Sequence, residues 1–118
     1  MTRSTPREIS RTISEKKAEL FRALAHPARI RVLEVLAEGE RSVSEIQPLV
    51  GIEPSHLSQQ LGVLRRAGLV ITRKDGAHVH YSLADPQLAK LLAVAKAMLI
   101  RSLSAAEGLL ADLRTDVR

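Results

Sequence analysis

Four histidines, a run of hydroxyl and amide side chains, and a short basic cluster are the residues of this 118-residue chain that could do chemistry. His78 and His80 stand two apart, so on a strand both imidazoles leave the same face. With a third donor from the N-terminal arm they could hold nickel or zinc, which take nitrogen and oxygen ligands. Two ring nitrogens are an incomplete ligand set, and no metal-binding residue is assigned. His56 lies among Ser55, Ser58 and Gln59. These side chains donate and accept hydrogen bonds, which suits the edges of base pairs in a major groove. Arg65, Arg66, Arg73 and Lys74 supply fixed positive charge, the chemistry that takes phosphate. His26 precedes Pro27, where its natural use is to cap a helix. No serine, histidine and carboxylate fall at a spacing that assembles a nucleophile with its base, and no glycine-rich loop could cradle a phosphate. Catalysis is not expected.

Composition narrows the partner. The chain has no cysteine, which excludes a disulfide scaffold, a thiolate metal site and a cysteine nucleophile. One Phe and one Tyr are the only aromatics, too few for the stacking platform of a single-strand or RNA binder. Lys and Arg number 18 against 13 Asp and Glu, a net charge of +5, which favours a polyanion. The excess is uneven. Residues 32–53 carry Arg41 against Glu34, Glu38, Glu40, Glu45 and Glu53, whereas residues 54–84 set Arg65, Arg66, Arg73 and Lys74 against Asp75 alone. No apolar run is long enough to span a bilayer, and the first residues lack the apolar segment of a secretory signal. A cytoplasmic protein that binds duplex DNA is the expectation.

The elements that must position these residues follow from periodicity. Residues 1–12 are polar and read as a mobile N-terminal arm. Ile13, Leu20, Phe21 and Leu24 recur with helical period, and Pro27 restarts a second helix that ends near Gly39, with Ile30, Leu33 and Leu36 inward. Ser42-Val43-Ser44-Glu45 has capping-box spacing and opens a third helix, expected to bury Val43, Ile46, Leu49 and Val50. Pro54 opens a fourth, over 54–67. Asp75-Gly76 signals a hairpin turn, after which Ala77, Val79, Tyr81 and Leu83 alternate with His78, His80 and Ser82, giving one buried and one exposed face. A last, Leu- and Ala-rich helix runs to about Leu113. The domain is therefore 13–113, with 114–118 as a tail.

Two helices joined by a turn at Gly51, followed by a hairpin, describe a winged helix–turn–helix: mainly α with a β-hairpin wing, in the order ααααββα. At 100° per residue, Leu57, Leu61 and Leu64 share the inner stripe of the fourth helix. Ser55, Gln59, Gly62 and Arg66 lie outward, with His56 and Ser58 on the flanks. The recognition helix is thus 54–67, and the wing, 73–80, carries Arg73 and Lys74 before its tip and His78 and His80 after it, all four expected to contact DNA. The last helix has more apolar surface than one small domain can cover. Leu92, Ala95, Leu99, Leu103 and Leu110, with Leu20 of the first helix, are expected to pair two copies into a homodimer.

The runs FRALAHPARIRVLEVLAEGE at 21–40, SVSEI at 42–46, PSHLSQQLGVLRRAGLV at 54–70 and DGAHVHYSL at 75–83 resemble the ArsR/SmtB family of bacterial transcriptional regulators. The likeness covers roughly residues 13–100. It implies a winged-helix homodimer, paired through its first and last helices, that binds an inverted-repeat operator, in many members as a repressor released by a metal. Ser55, His56, Ser58 and Gln59 match the family's base-reading positions. Where its thiolate sensors begin the third helix with two cysteines one residue apart, this chain has Ser42 and Ser44. Three functions stand: a sequence-specific regulator whose effector, small molecule or protein, is open; a nickel- or zinc-responsive one; or a winged-helix module that binds protein.

Overall fold

The computed structural model describes residue 3 and residues 5–116, which form two compact units divided between Asp85 and Pro86. The first unit contains α1 (Pro6–Leu24), α2 (Pro27–Ala37), β1 (Arg41–Ser42), α3 (Val43–Val50), α4 (Pro54–Arg66), β2 (Val70–Asp75) and β3 (His78–Leu83). The second is a single helix, α5 (Gln87–Asp116). Among the described residues no helix is long and apolar enough to cross a membrane.

α1 starts seven residues before the first apolar repeat because Thr5 and Glu8 form a capping box, with Pro6 in the first turn. The Glu8 amide donates to the Thr5 hydroxyl at 3.2 Å, and the Thr5 amide donates to the Glu8 carboxylate at 2.9 Å. Residues 6–12, read from sequence as arm, are therefore helical; positions 1, 2 and 4 lie outside the described residues. So do 117 and 118, whereas 114–116, read as tail, continue α5.

The core of the first unit is aliphatic, as scarce aromatics require. Leu24 of α1, Val32, Leu33 and Leu36 of α2, Ile46 and Val50 of α3, Leu57, Leu61 and Leu64 of α4, and Val70 of β2 are all buried. Ala28 is buried where Ile30 was expected, and Ile30 is half-buried. α3 presents one two-residue stripe rather than four core positions. Ile46 and Val50 face inward, whereas Val43 in the first turn is 38% exposed and Leu49, well round the helix, is 57% exposed.

The sheet has three strands in the order β1-β3-β2, all antiparallel. β1, two residues long, is absent from the sequence-derived order. Its pairing makes β3 a central strand, with Arg41 opposite Tyr81 and Ser42 opposite His80. Val79 to Leu83 are uniformly half-buried, so burial does not alternate along β3 as expected. The hairpin closes one residue later than the Asp75-Gly76 signal suggests. Asp75 pairs with His78, leaving Gly76 and Ala77 as the turn. Gly76 has φ +62° and no non-glycine residue described has positive φ, which fits a two-residue turn with glycine first.

Candidate nucleic-acid interface

α3 and α4 meet through Gly51, whose left-handed backbone (φ +70°) ends α3 and donates to the Gln47 carbonyl at 2.9 Å. The Gln47 side-chain amide donates to the Ile52 carbonyl and ties the turn down. α3 itself begins at Ser42. The Glu45 amide donates to the Ser42 hydroxyl at 3.3 Å, while the Ser42 amide and hydroxyl each donate to the Glu45 carboxylate at 3.0 Å. Those bonds, the backbone one first, hold the Glu45 carboxyl below its usual range. The Ser44 hydroxyl lies 3.0 Å from that of Ser42. The two serines are thus committed to a helix start.

α4 is seated by its apolar stripe and by two polar contacts that the sequence reading missed. Gln60, buried on the flank of that stripe, accepts from Arg29 Nε at 2.8 Å; Arg29 Nη1 also donates to the Ala23 carbonyl at 3.2 Å. One turn earlier, His56 meets His26 edge to face, with ring centroids 5.8 Å apart. His26 caps α2, its Nδ1 accepting from the Ala28 amide at 3.1 Å. α2 therefore grips α4 at positions 56 and 60, one helical turn apart. A glutamine facing inward among leucines is the one visible signal for this contact.

What remains outward on α4 is the expected polar face. Ser55, Ser58, Gln59, Arg65 and Arg66 are exposed, Gly62 is half-buried, and His56 is half-buried on the flank. The N-cap residue, Glu53, makes no side-chain hydrogen bond to the first turn, so no carboxylate covers amides suited to an anion.

The wing departs further from expectation. Lys74 and His78 are exposed, but His80 is half-buried. Arg73, opposite His80, already has an anion: Nη2 donates to Glu40 Oε1 at 2.6 Å and Nε to Oε2 at 3.2 Å. Arg73 and, more weakly, His80 hold the Glu40 carboxyl below its usual range. His80 acts in the same sense on Glu45. Where the wing meets α3 and α4, an open cavity of about 510 Å³ is lined by Ser44, Gln47, Pro54 and His78 among others. Among the described residues no three His, Asp or Glu side chains gather to hold a metal ion.

A packed helix pair with an outward polar helix, flanked by a basic two-stranded wing, defines a winged helix–turn–helix DNA-binding protein. Residues 26–72 match the model of the bacterial regulatory protein arsR family. Over 106 residues the chain is 56% identical to the uncharacterized HTH-type transcriptional regulator Rv0081 of Mycobacterium tuberculosis, covering 89% of this chain and 93% of that one. The crystal structure of Rv0081 superposes with a TM-score of 0.73 at 54% identity, over 87% of this chain and 98% of the other. The biofilm growth-associated repressor of Agrobacterium fabrum is 44% identical over 89 residues, 72% of this chain and 76% of its own. The homodimeric winged helix-turn-helix DNA-binding domain of Mb0332 from Mycobacterium bovis superposes with a TM-score of 0.74 at 28% identity, over 89% and 95%. The chain belongs to the ArsR family of bacterial transcriptional regulators. It is a DNA-binding regulator, in a family of regulators and not of enzymes.

Proposed function

We propose that the chain is a cytoplasmic homodimeric repressor that reads an inverted-repeat operator, with α4 in the major groove and the wing along the backbone. Ser55, Ser58 and Gln59 address base edges, with His56 beside them on the half-buried flank. Arg65, Arg66, Lys74 and His78 take phosphates. The observation that carries this reading is the division of α4: Leu57, Leu61 and Leu64 are at most 2% exposed, while hydroxyl and amide side chains fill the opposite face. Side chains that both donate and accept are suited to the edges of base pairs.

The dimer reading rests on exposed apolar surface. α5 leaves Leu99 and Leu103 each 64% exposed and Leu110 47% exposed, and α1 leaves Phe21 55% exposed. Ala95 is also exposed, whereas Leu20 and Leu92 are half-buried. A second copy using the same surfaces covers them with two-fold symmetry and sets two α4 helices at half-site spacing.

Gel-shift titration against a palindromic promoter duplex and its scrambled counterpart, at two salt concentrations, tests the reading. Selective binding that weakens steeply with salt is expected. Replacing Ser58 and Gln59 with alanine is expected to abolish selectivity and leave the salt-dependent component. Equal affinity for both duplexes would remove the regulator reading and favour a protein partner. Release by a metal has less behind it, because among the described residues no third His, Asp or Glu joins His78 and His80 to complete a ligand set. Calorimetry with nickel and zinc on wild type and His78→Ala/His80→Ala tests it.

A further inference from the structure

One cation of the wing is occupied before any DNA arrives. Glu40 and Arg73 lie 33 residues apart, yet the guanidinium meets the carboxylate with two hydrogen bonds, at 2.6 and 3.2 Å. That side-on fork is the geometry by which arginine also takes a phosphate. Position fixes the pair from both ends. Glu40 directly precedes β1, and Arg73 lies on β2, opposite His80 of the strand between them. His80 and Arg73 both favour the ionised carboxylate. The pair is also accessible, with the Arg73 side chain 54% and that of Glu40 36% exposed, so a phosphate can reach the fork that the carboxylate holds.

We propose that Glu40 is an internal stand-in for phosphate that sets the DNA affinity of the wing. It occupies the Arg73 fork and must be displaced before Arg73 can take a phosphate. This inference rests on the reading that the wing contacts phosphates and adds a residue that restrains the contact. The counterions released on binding come from the DNA phosphates that protein cations neutralise, and a guanidinium that stays on Glu40 neutralises none. In the wild type, Arg73 therefore contributes little to duplex binding. Lys74, the exposed neighbouring cation, contributes its full share.

The test is fluorescence anisotropy of the full chain on a labelled mixed-sequence duplex across a salt series, with folding of each variant checked by circular dichroism. Glu40→Gln is expected to bind several-fold tighter, with a log–log salt slope steeper by about 0.9 per bound chain. The gain is expected to vanish in Glu40→Gln/Arg73→Gln, because it acts through Arg73. Unchanged or weaker binding by Glu40→Gln overturns the proposal. So does a gain that survives in the Arg73→Gln background, which marks a general charge effect. Lys74→Gln separates the two layers. Weaker binding there without a Glu40→Gln gain sinks the proposal alone, and no change in either Lys74→Gln or Glu40→Gln removes the wing contact and the proposal together.

Discussion

Gly62 occupies the outer half of α4, and a methyl group added there would meet Arg66 Nη1 at 3.2 Å. That atom is the far end of an exposed, flexible side chain that can swing aside. Glycine in a helix interior costs about 1 kcal/mol relative to alanine, so Gly62→Ala is expected to raise stability by about 0.5–1 kcal/mol in urea unfolding. A simultaneous loss of DNA affinity is expected, since a backbone without a Cβ lets a phosphate or base edge come close. At the start of α3, Ser42→Ala removes an N-cap and is expected to cost about 1 kcal/mol by the same measurement. The partner acid makes this cap sensitive to pH. Glu45 is held below its ordinary value of 4.5, so its ionised form favours the folded state. Its contribution is fully present above that value and disappears as pH falls through the lower folded value. Melting temperature recorded from neutral pH down through the carboxylate range should therefore fall less steeply for Glu45→Gln than for wild type.

The recognition helix holds its angle through the stripe of Leu57, Leu61 and Leu64 and through the clasp from α2. Leu57 has no exposed surface, and Leu57→Ala is expected to cost roughly 2–5 kcal/mol, a large share of the stability of a small domain. Arg29→Ala is expected to cost about 1–3 kcal/mol, because it leaves the buried Gln60 amide without its donor. Both are read by denaturant unfolding, and a null result for Arg29→Ala would mean that water replaces the guanidinium. These two contacts also mark where sequence stops being informative. The leucine stripe and the outward Ser55, Ser58 and Gln59 are legible because a 3.6-residue period sorts them by local rule. The clasp from Arg29 to Gln60 spans 31 residues, and the fork from Arg73 to Glu40 spans 33, so no local pattern announces either. β1 is hidden for another reason. Two residues carry no alternation, and Arg41 and Ser42 become a strand only because β3 pairs with them. That pairing leaves His80 half-buried between β1 and β2, while His78, beyond the end of β1, stays exposed.

α5 is 30 residues, about 45 Å of helix, and exposes Val94, Met98, Leu99, Ile100, Leu103, Leu109, Leu110 and Leu113 at 47–64%. Apolar surface on this scale is costly to leave in water, and its cover decides how the regulator meets DNA. If a second copy supplies that cover, one α4 bound to a half-site places the other at high effective concentration over the next. Linkage of this kind strengthens binding about 10²- to 10⁴-fold without any new contact. Leu99 and Leu103, one turn apart and both 64% exposed, are suited to test it because neither belongs to the core of the first unit. Leu99→Glu/Leu103→Glu is expected to sediment as a monomer at concentrations where wild type is a dimer. Its operator affinity is expected to fall by about 10²-fold or more, and its salt slope to roughly halve as one set of phosphate contacts is lost. Folding of the first unit should be intact by circular dichroism, since its buried leucines are untouched. A variant that stays dimeric, or that dissociates yet binds the operator as tightly as wild type, would separate DNA reading from dimerisation and return α5 to another partner.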